Sequence, residues 1–207
     1  MPFSVSRSNL WASQDDVTLD PAEDLAFAAD SLVNNEFEEV KIDDVTFGSD
    51  MSTAFQQLHI TKLEVMVAGG KYTSAKTVRV KAGTKLRIRV STRLYRSTTT
   101  TVSALAVVVP KRAKGSSGDL TVAGGTELAD GGGGLGECLF EPELCADGDE
   151  GSLDAVIKGI TATPKNNAIL AQLDLESDDS DAPQTVTTTK HRGYTVAGER
   201  SISILVS

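Results

Sequence analysis

Apolar and polar positions along the chain change period several times, and each change marks an element. Leu25, Ala28, Ala29 and Leu32 recur at helical spacing. Asp20-Pro21-Ala22-Glu23 supplies a start for that helix, with Asp20 as cap, Pro21 in the first turn and Glu23 completing a capping box. Asn34-Asn35 ends it. Period-two segments follow: Val40-Lys41-Ile42 with Val45 and Phe47, then Leu58, Ile60, Leu63, Val65 and Val67, then Val78-Arg79-Val80. The clearest strand is Leu86-Arg87-Ile88-Arg89-Val90, whose aliphatic and arginine side chains must point to opposite faces. Lys81-Ala82-Gly83-Thr84 before it reads as a turn, and Thr98 to Thr101 leads into a further strand that runs to Val109 and is stopped by Pro110. A long loop is expected from Gly115 to Gly151, where four glycines stand at 131–134 among acidic residues. Ser152 caps a second short helix through Ile160, with Leu153, Val156, Ile157 and Ile160 on one face. Pro164-Lys165-Asn166-Asn167 turns the chain into a strand from Ile169 to Leu175, Glu176 to Asp181 reads as an acidic loop, and Ile202 to Val206 is the last strand.

These spacings predict a mainly β chain, an immunoglobulin-like antiparallel β-sandwich with one or two short accessory helices. The expected organisation is an N-terminal arm over 1–42 whose helix packs on the sandwich, and a sandwich core over 43–122. A glycine-rich acidic loop with a cysteine pair over 123–151 and a helix-strand-strand element over 152–207 complete the domain. No internal repeat is present, and no apolar run approaches the 18 or so residues of a membrane span.

Composition changes this picture little, but the distribution of charge changes it a good deal. The 207 residues carry a formal charge of −9, which argues against a general nucleic-acid binder. Between Lys71 and Lys114 stand twelve Lys or Arg and no Asp or Glu, so this segment carries +12 and the remainder −21. Arg87 and Arg89 share one face of their strand, and Arg93 continues it by parity. Tyr95 and Arg96 follow directly. Three readings of this basic face stay open. It can be neutralised by the acidic helix and loops of the same chain, it can meet a polyanion such as a cell-envelope polymer, or a partner domain can supply the carboxylates.

Recognisable catalytic patterns are missing from the sequence. His59 alternates with Leu58 and Ile60 and reads as a strand histidine, while His191, between Lys190 and Arg192, reads as a solvated turn residue. Gly115-Ser116-Ser117-Gly118 is no nucleophile elbow, and no phosphate loop or dinucleotide fingerprint occurs. Asp147-Gly148-Asp149-Glu150-Gly151 begins like a calcium loop but lacks the closing glutamate. Aromatic residues make up 5% of the chain, too few for sugar platforms around paired carboxylates. The expectation is a chain without a catalytic site, cofactor or metal. Cys138 and Cys145, with six residues between them and no histidine near, do not form a zinc site. They can bridge, closing a short loop worth about 2–3 kcal/mol, or stand as two surface thiols.

Several segments, taken in order, carry a resemblance. They are Asn9-Leu10-Trp11-Ala12-Ser13, the helix from Asp20 ending in Leu32-Val33-Asn34-Asn35-Glu36-Phe37-Glu38, the Val80-Lys81-Ala82-Gly83-Thr84 turn, and Arg93-Leu94-Tyr95-Arg96 before the threonine strand. Ser152 to Ile157 followed by Pro164-Lys165-Asn166-Asn167-Ala168 completes the set. Together they resemble the region C-terminal to the peptidase domain in bacterial proteins related to the stage IV B sporulation serine peptidase. Leu94 stands where that pattern has proline and Ser97 where it has glycine, and residues 129–151 form an insertion. The resemblance implies a non-catalytic accessory or interaction module of an exported, extracellular or cell-envelope protein whose peptidase domain lies upstream of Met1 and serves as one partner. Export agrees with a Cys138–Cys145 disulfide, although Met1 to Arg7 shows no secretory signal. The alternative expectation is a module that binds a cell-envelope polymer or other anion through the basic face.

Overall fold

The computed structural model describes residues 2–129, 152–177 and 180–207. Two sheets stack face to face and form a β-sandwich with a few short helices. The first sheet has the order β4-β3-β1-β8, built from β1 (Gln57–Val67), β3 (Lys85–Leu94), β4 (Thr100–Val108) and β8 (Thr195–Ala197). The second has the order β2-β9-β5-β6-β7, built from β2 (Thr77–Val80), β5 (Ser117–Gly124), β6 (Ala168–Ser177), β7 (Ser180–His191) and β9 (Glu199–Val206). Most pairings are antiparallel. One strand at an edge of each sheet pairs in parallel instead, β8 with β1 and β2 with β9.

Alternation explains the core. Leu86, Ile88 and Val90 of β3, Leu120 and Val122 of β5, Leu173 and Leu175 of β6, and Ile202 and Ile204 of β9 all turn inward and are buried in one cluster that spans both sheets. The parity of β1 switches between Ile60 and Leu63, and the pairing with β3 shifts register between Ile60 and Lys62. The extra residue is Thr61, a β-bulge whose hydroxyl donates to the Ser91 carbonyl at 3.1 Å. Lys81 to Thr84 makes the expected turn, closed by the Thr84 amide on the Lys81 carbonyl at 3.1 Å, with Gly83 at φ +79°.

Helix α1 (Leu19–Val33) starts one residue before Asp20, so Asp20 lies in the first turn and does not cap. The chain before it is held by Asp16, whose carboxylate accepts from the Thr18 amide at 2.8 Å and the Thr18 hydroxyl at 2.6 Å. At the other end Asn35 works as expected. Its Oδ1 accepts from the Phe37 and Glu38 amides while its Nδ2 donates to the Leu32 and Glu38 carbonyls. Helix α2 (Gly125–Ala129) is a single turn, and α3 (Leu153–Ala162) is capped by Ser152, whose side chain accepts from the Ala155 amide at 3.3 Å. Rather than lying on a sheet, α1 packs against α3 through Leu32, Leu153 and Ile160, which form a second, smaller cluster.

Several further expected features take another form in the structure. Val40 to Phe47 is no strand; its residues form no regular structure and all but Val40 are exposed. The loop expected from Gly115 is interrupted at once by β5, a central strand of the second sheet, and by α2. Glu176 to Asp181 is not a long acidic loop, since β6 runs to Ser177 and β7 begins at Ser180. His191 ends β7 rather than lying in a turn, and β7 and β8 were not foreseen. Residues 43–56 add no strand, and the cluster between the sheets draws on residues 58 to 206. Cys138, Cys145, the 131–134 glycines and the 147–151 acidic motif lie outside the described residues.

Candidate functional site

The outer face of the first sheet collects the basic ladder. β3 runs unbroken, so Arg87, Arg89 and Arg93 all point away from the core and are exposed. Lys85 shares their parity and joins them, a residue the alternation already contained. Same-face residues on a strand repeat about every 7 Å, so Lys85, Arg87 and Arg89 are regularly spaced cations, and the buried Ser91 separates them from Arg93.

The neighbours decide what this row can do. On the β4 side Arg87 is in register with Ala106 and Arg89 with Ala104, which are too small to cover a guanidinium. On the β1 side Arg87 faces Met66, Arg89 faces Glu64 and Arg93 faces His59. Glu64 is thus the one carboxylate in register with the ladder, but it pairs with Lys62 at 2.8 Å. Arg89 stacks instead on the Tyr72 ring, its guanidinium carbon 3.7 Å from the centroid. Tyr72 reaches this position because Thr73 forms a two-bond bridge with Val65 on the far side of β1.

Tyr95 and Arg96 serve the end of the ladder differently. They occupy the turn from Leu94 to Ser97, closed by the Ser97 amide on the Leu94 carbonyl at 3.0 Å, and Arg96 adopts φ +54°, a left-handed conformation that favours glycine. The Tyr95 ring meets the edge of Phe55 at 4.9 Å, lies 5.1 Å from the Arg96 guanidinium, and its hydroxyl reaches Gln14 at 3.4 Å. Tyr95 therefore fastens the arm and is not a free stacking platform.

The same-chain neutralisation of the ladder does not occur among the described residues. All twelve cations from Lys71 to Lys114 are exposed, and none has a carboxylate of the described residues within 4.0 Å. The two ion pairs among the described residues are Lys62–Glu64 and Arg7–Asp24 at 3.1 Å. The acidic arm is held elsewhere. Arg7 donates to the Ile160 carbonyl, Lys165 to the Ser8 hydroxyl, and the Asn166 amide to Asn9, which ties residues 7–9 to α3 and the turn after it.

The histidines lie apart. His59 is exposed on β1, and His191 Nδ1 lies 3.3 Å from Asn167 Oδ1. Among the described residues no group of three His, Cys, Asp or Glu is placed to hold a metal ion, and no helix is long and apolar enough to cross a membrane. A cleft of about 890 Å³ opens between the arm, α1, residues 38–48 and α3, with Phe3, Trp11, Leu25, Leu32, Val40 and Phe47 along its walls. Compared with protein-family models, curated proteins and solved structures, the chain finds no match in any of the three.

Proposed function

We propose that this chain is a non-catalytic interaction module that docks an anionic partner on the outer face of its four-stranded sheet. The observation that carries this reading is the ladder Lys85, Arg87, Arg89 and Arg93, exposed and without a carboxylate in reach among the described residues. A structural role for these cations would bring them against the acidic arm of the same chain. Their alignment along one strand instead suits an extended anion, such as a cell-envelope polymer, and the Tyr72 stack restrains Arg89 before any partner arrives, reducing the entropy lost on binding. The resemblance adds the setting, an accessory part of an exported serine peptidase-like protein. Genomic sequence that continues upstream of Met1 into a peptidase domain supports that setting, and a frame without one removes it.

Long-chain inorganic polyphosphate and poly-glutamate serve as probes. Arg87→Ala with Arg89→Ala should weaken binding at least about tenfold, and wild-type binding should fall as salt shortens the screening length from about 30 Å at 10 mM toward about 8 Å at 150 mM. Because these are exposed side chains without partners in an ion pair, stability should change by no more than about 0.5 kcal/mol beyond the loss of the Tyr72 stack. A wild type that binds neither probe at low salt overturns the reading, as does a double variant that binds as tightly as wild type.

A further inference from the structure

We infer that the occupant of the basic face is a second copy of this chain, whose residues 39–47 add as a strand along the free edge of β4. The inference rests on the proposed docking face and names its partner.

Both halves of the contact are visible. β4 ends the first sheet, and among the described residues no strand pairs with its outer side, although β7 of the second sheet packs near it and Arg192, just after β7, reaches the Thr101 hydroxyl at 3.4 Å. Its outward side chains are Val102, Ala104, Ala106 and Val108, with Val102 58% and Val108 51% exposed. Exposed valines on an edge strand are a template for pairing, and this edge carries no charge of its own to prevent it. One strand further in stand Lys85, Arg87 and Arg89, and the two alanines leave the arginines clear toward the edge.

Residues 39–47 are the complement. They alternate as a strand does, with Val40 and Ile42 before Asp43-Asp44 and Val45 and Phe47 after, yet they take no backbone hydrogen bond among the described residues. Val45 and Phe47 are 54% and 52% exposed. Glu39, Asp43 and Asp44 outweigh Lys41. The surrounding arm has the same character: residues 1–50 hold twelve Asp or Glu and two Lys or Arg, a charge of −10 against the +12 of residues 71–114. Ten of the fourteen exposed large apolar side chains of the described residues lie between Phe3 and Met51, and Val102 and Val108 on β4 are two of the other four. The complementary charges and the complementary apolar groups thus belong to one chain and do not meet among its described residues. Contact between copies satisfies both, together with two rows of unpaired backbone groups, by strand addition. Reciprocal exchange of the segment closes a twofold dimer.

Charge exchange tests it. Sedimentation velocity at low salt should show concentration-dependent association of the wild type, weakened by salt. Arg87→Glu with Arg89→Glu should abolish it, and so should Asp43→Lys with Asp44→Lys, while an equimolar mixture of the two variants should associate again. In the wild type alone, amides of residues 39–47 and 100–108 should gain protection from hydrogen exchange as concentration rises, a readout independent of how well the variants fold. A monomeric wild type, a mixture that stays monomeric when both variants are folded, or protection confined to other segments overturns the inference. A monomer that still binds polyphosphate through Arg87 and Arg89 overturns the second copy as partner and leaves the docking face standing.

Discussion

A single atom decides the fate of several positions. Gly124 and Gly125 sit where β5 turns into α2, and a methyl group on them would overlap the Val196 and Lys165 carbonyl oxygens respectively. Both obstacles are backbone, which cannot swing aside. Gly124→Ala and Gly125→Ala should each destabilise by about 2–4 kcal/mol in chemical denaturation, the range for overpacking a fixed interior. Gly159 is the opposite case, since it lies within α3 with open space where a side chain would go. Gly159→Ala should stabilise by about 0.5–1 kcal/mol, because alanine loses less backbone entropy in a helix. The sequence shows three similar glycines here; only the distance to a neighbouring carbonyl separates them. Asp16 offers a check on local geometry. The Thr18 hydroxyl, and then the Thr18 amide, hold its carboxylate below the usual aspartate range. A carboxyl lowered in the folded state stabilises above the unfolded value and loses that contribution as pH falls through the folded one. An NMR titration should therefore find Asp16 below the ordinary aspartate value, and Thr18→Val should move it back toward that value.

At the scale of elements, local rules decided some features outright. Ser152 caps α3 as its position ahead of Leu153 implied, and Ser152→Ala should cost about 1 kcal/mol in thermal unfolding because the Ala155 amide loses its side-chain acceptor and keeps only the Ser152 carbonyl. The parity switch between Ile60 and Leu63 contained the β1 bulge. Asp20 and Glu23 also fit the capping rule, yet the helix begins at Leu19, since Asp16 closes the preceding turn around Thr18 first. Strand identity in Val40 to Phe47 failed for another reason. Alternation states which face a strand would bury, but a strand also needs a neighbour for its backbone, and that segment has none among the described residues. The converse error occurred at Gly115 to Gly124, where glycine and polar residues hid a central strand flanked by β6 and β9 on both sides. Gly118 lies close against the Asp174 carbonyl there, so the residue that reads as a loop signal is what lets two strands approach.

The described residues form three apolar clusters of unequal size. The large one spans both sheets, Ala123, Leu128 and Leu170 form a small one where α2 meets the second sheet, and the smaller cluster of the arm joins α1 to α3 through three buried residues. The cluster of the arm should open first. Fluorescence of Trp11, which lies in the arm beside that cluster, should change at lower denaturant than far-UV circular dichroism of the strands, and coincident transitions would mean that arm and sandwich unfold as one unit. The last strand ties the large cluster together, since β9 lies between β2 and β5 and buries Ile202 and Ile204. Ile204→Ala should cost about 2–5 kcal/mol and lower the strand transition while leaving the difference from the Trp11 transition smaller than in wild type.

What the sequence determined by itself was class, face and charge. Period-two alternation requires strands with one buried side, helical spacing with Ser152 and Asn35 bounds two helices, and the run from Lys71 to Lys114 has no acid to offset it. Each of these depends on neighbours within a few residues. Tertiary structure decided which strands pair, where β5 and β9 enter the second sheet, that α1 packs on α3, and that Arg89 stacks on Tyr72. Those outcomes depend on residues far apart in the chain, and a charged side chain's partner is set by which backbone brings a carboxylate within a few ångströms. The ladder's arginines were legible as a face; their exposure was not, because it required the acidic arm to be held against α3 instead.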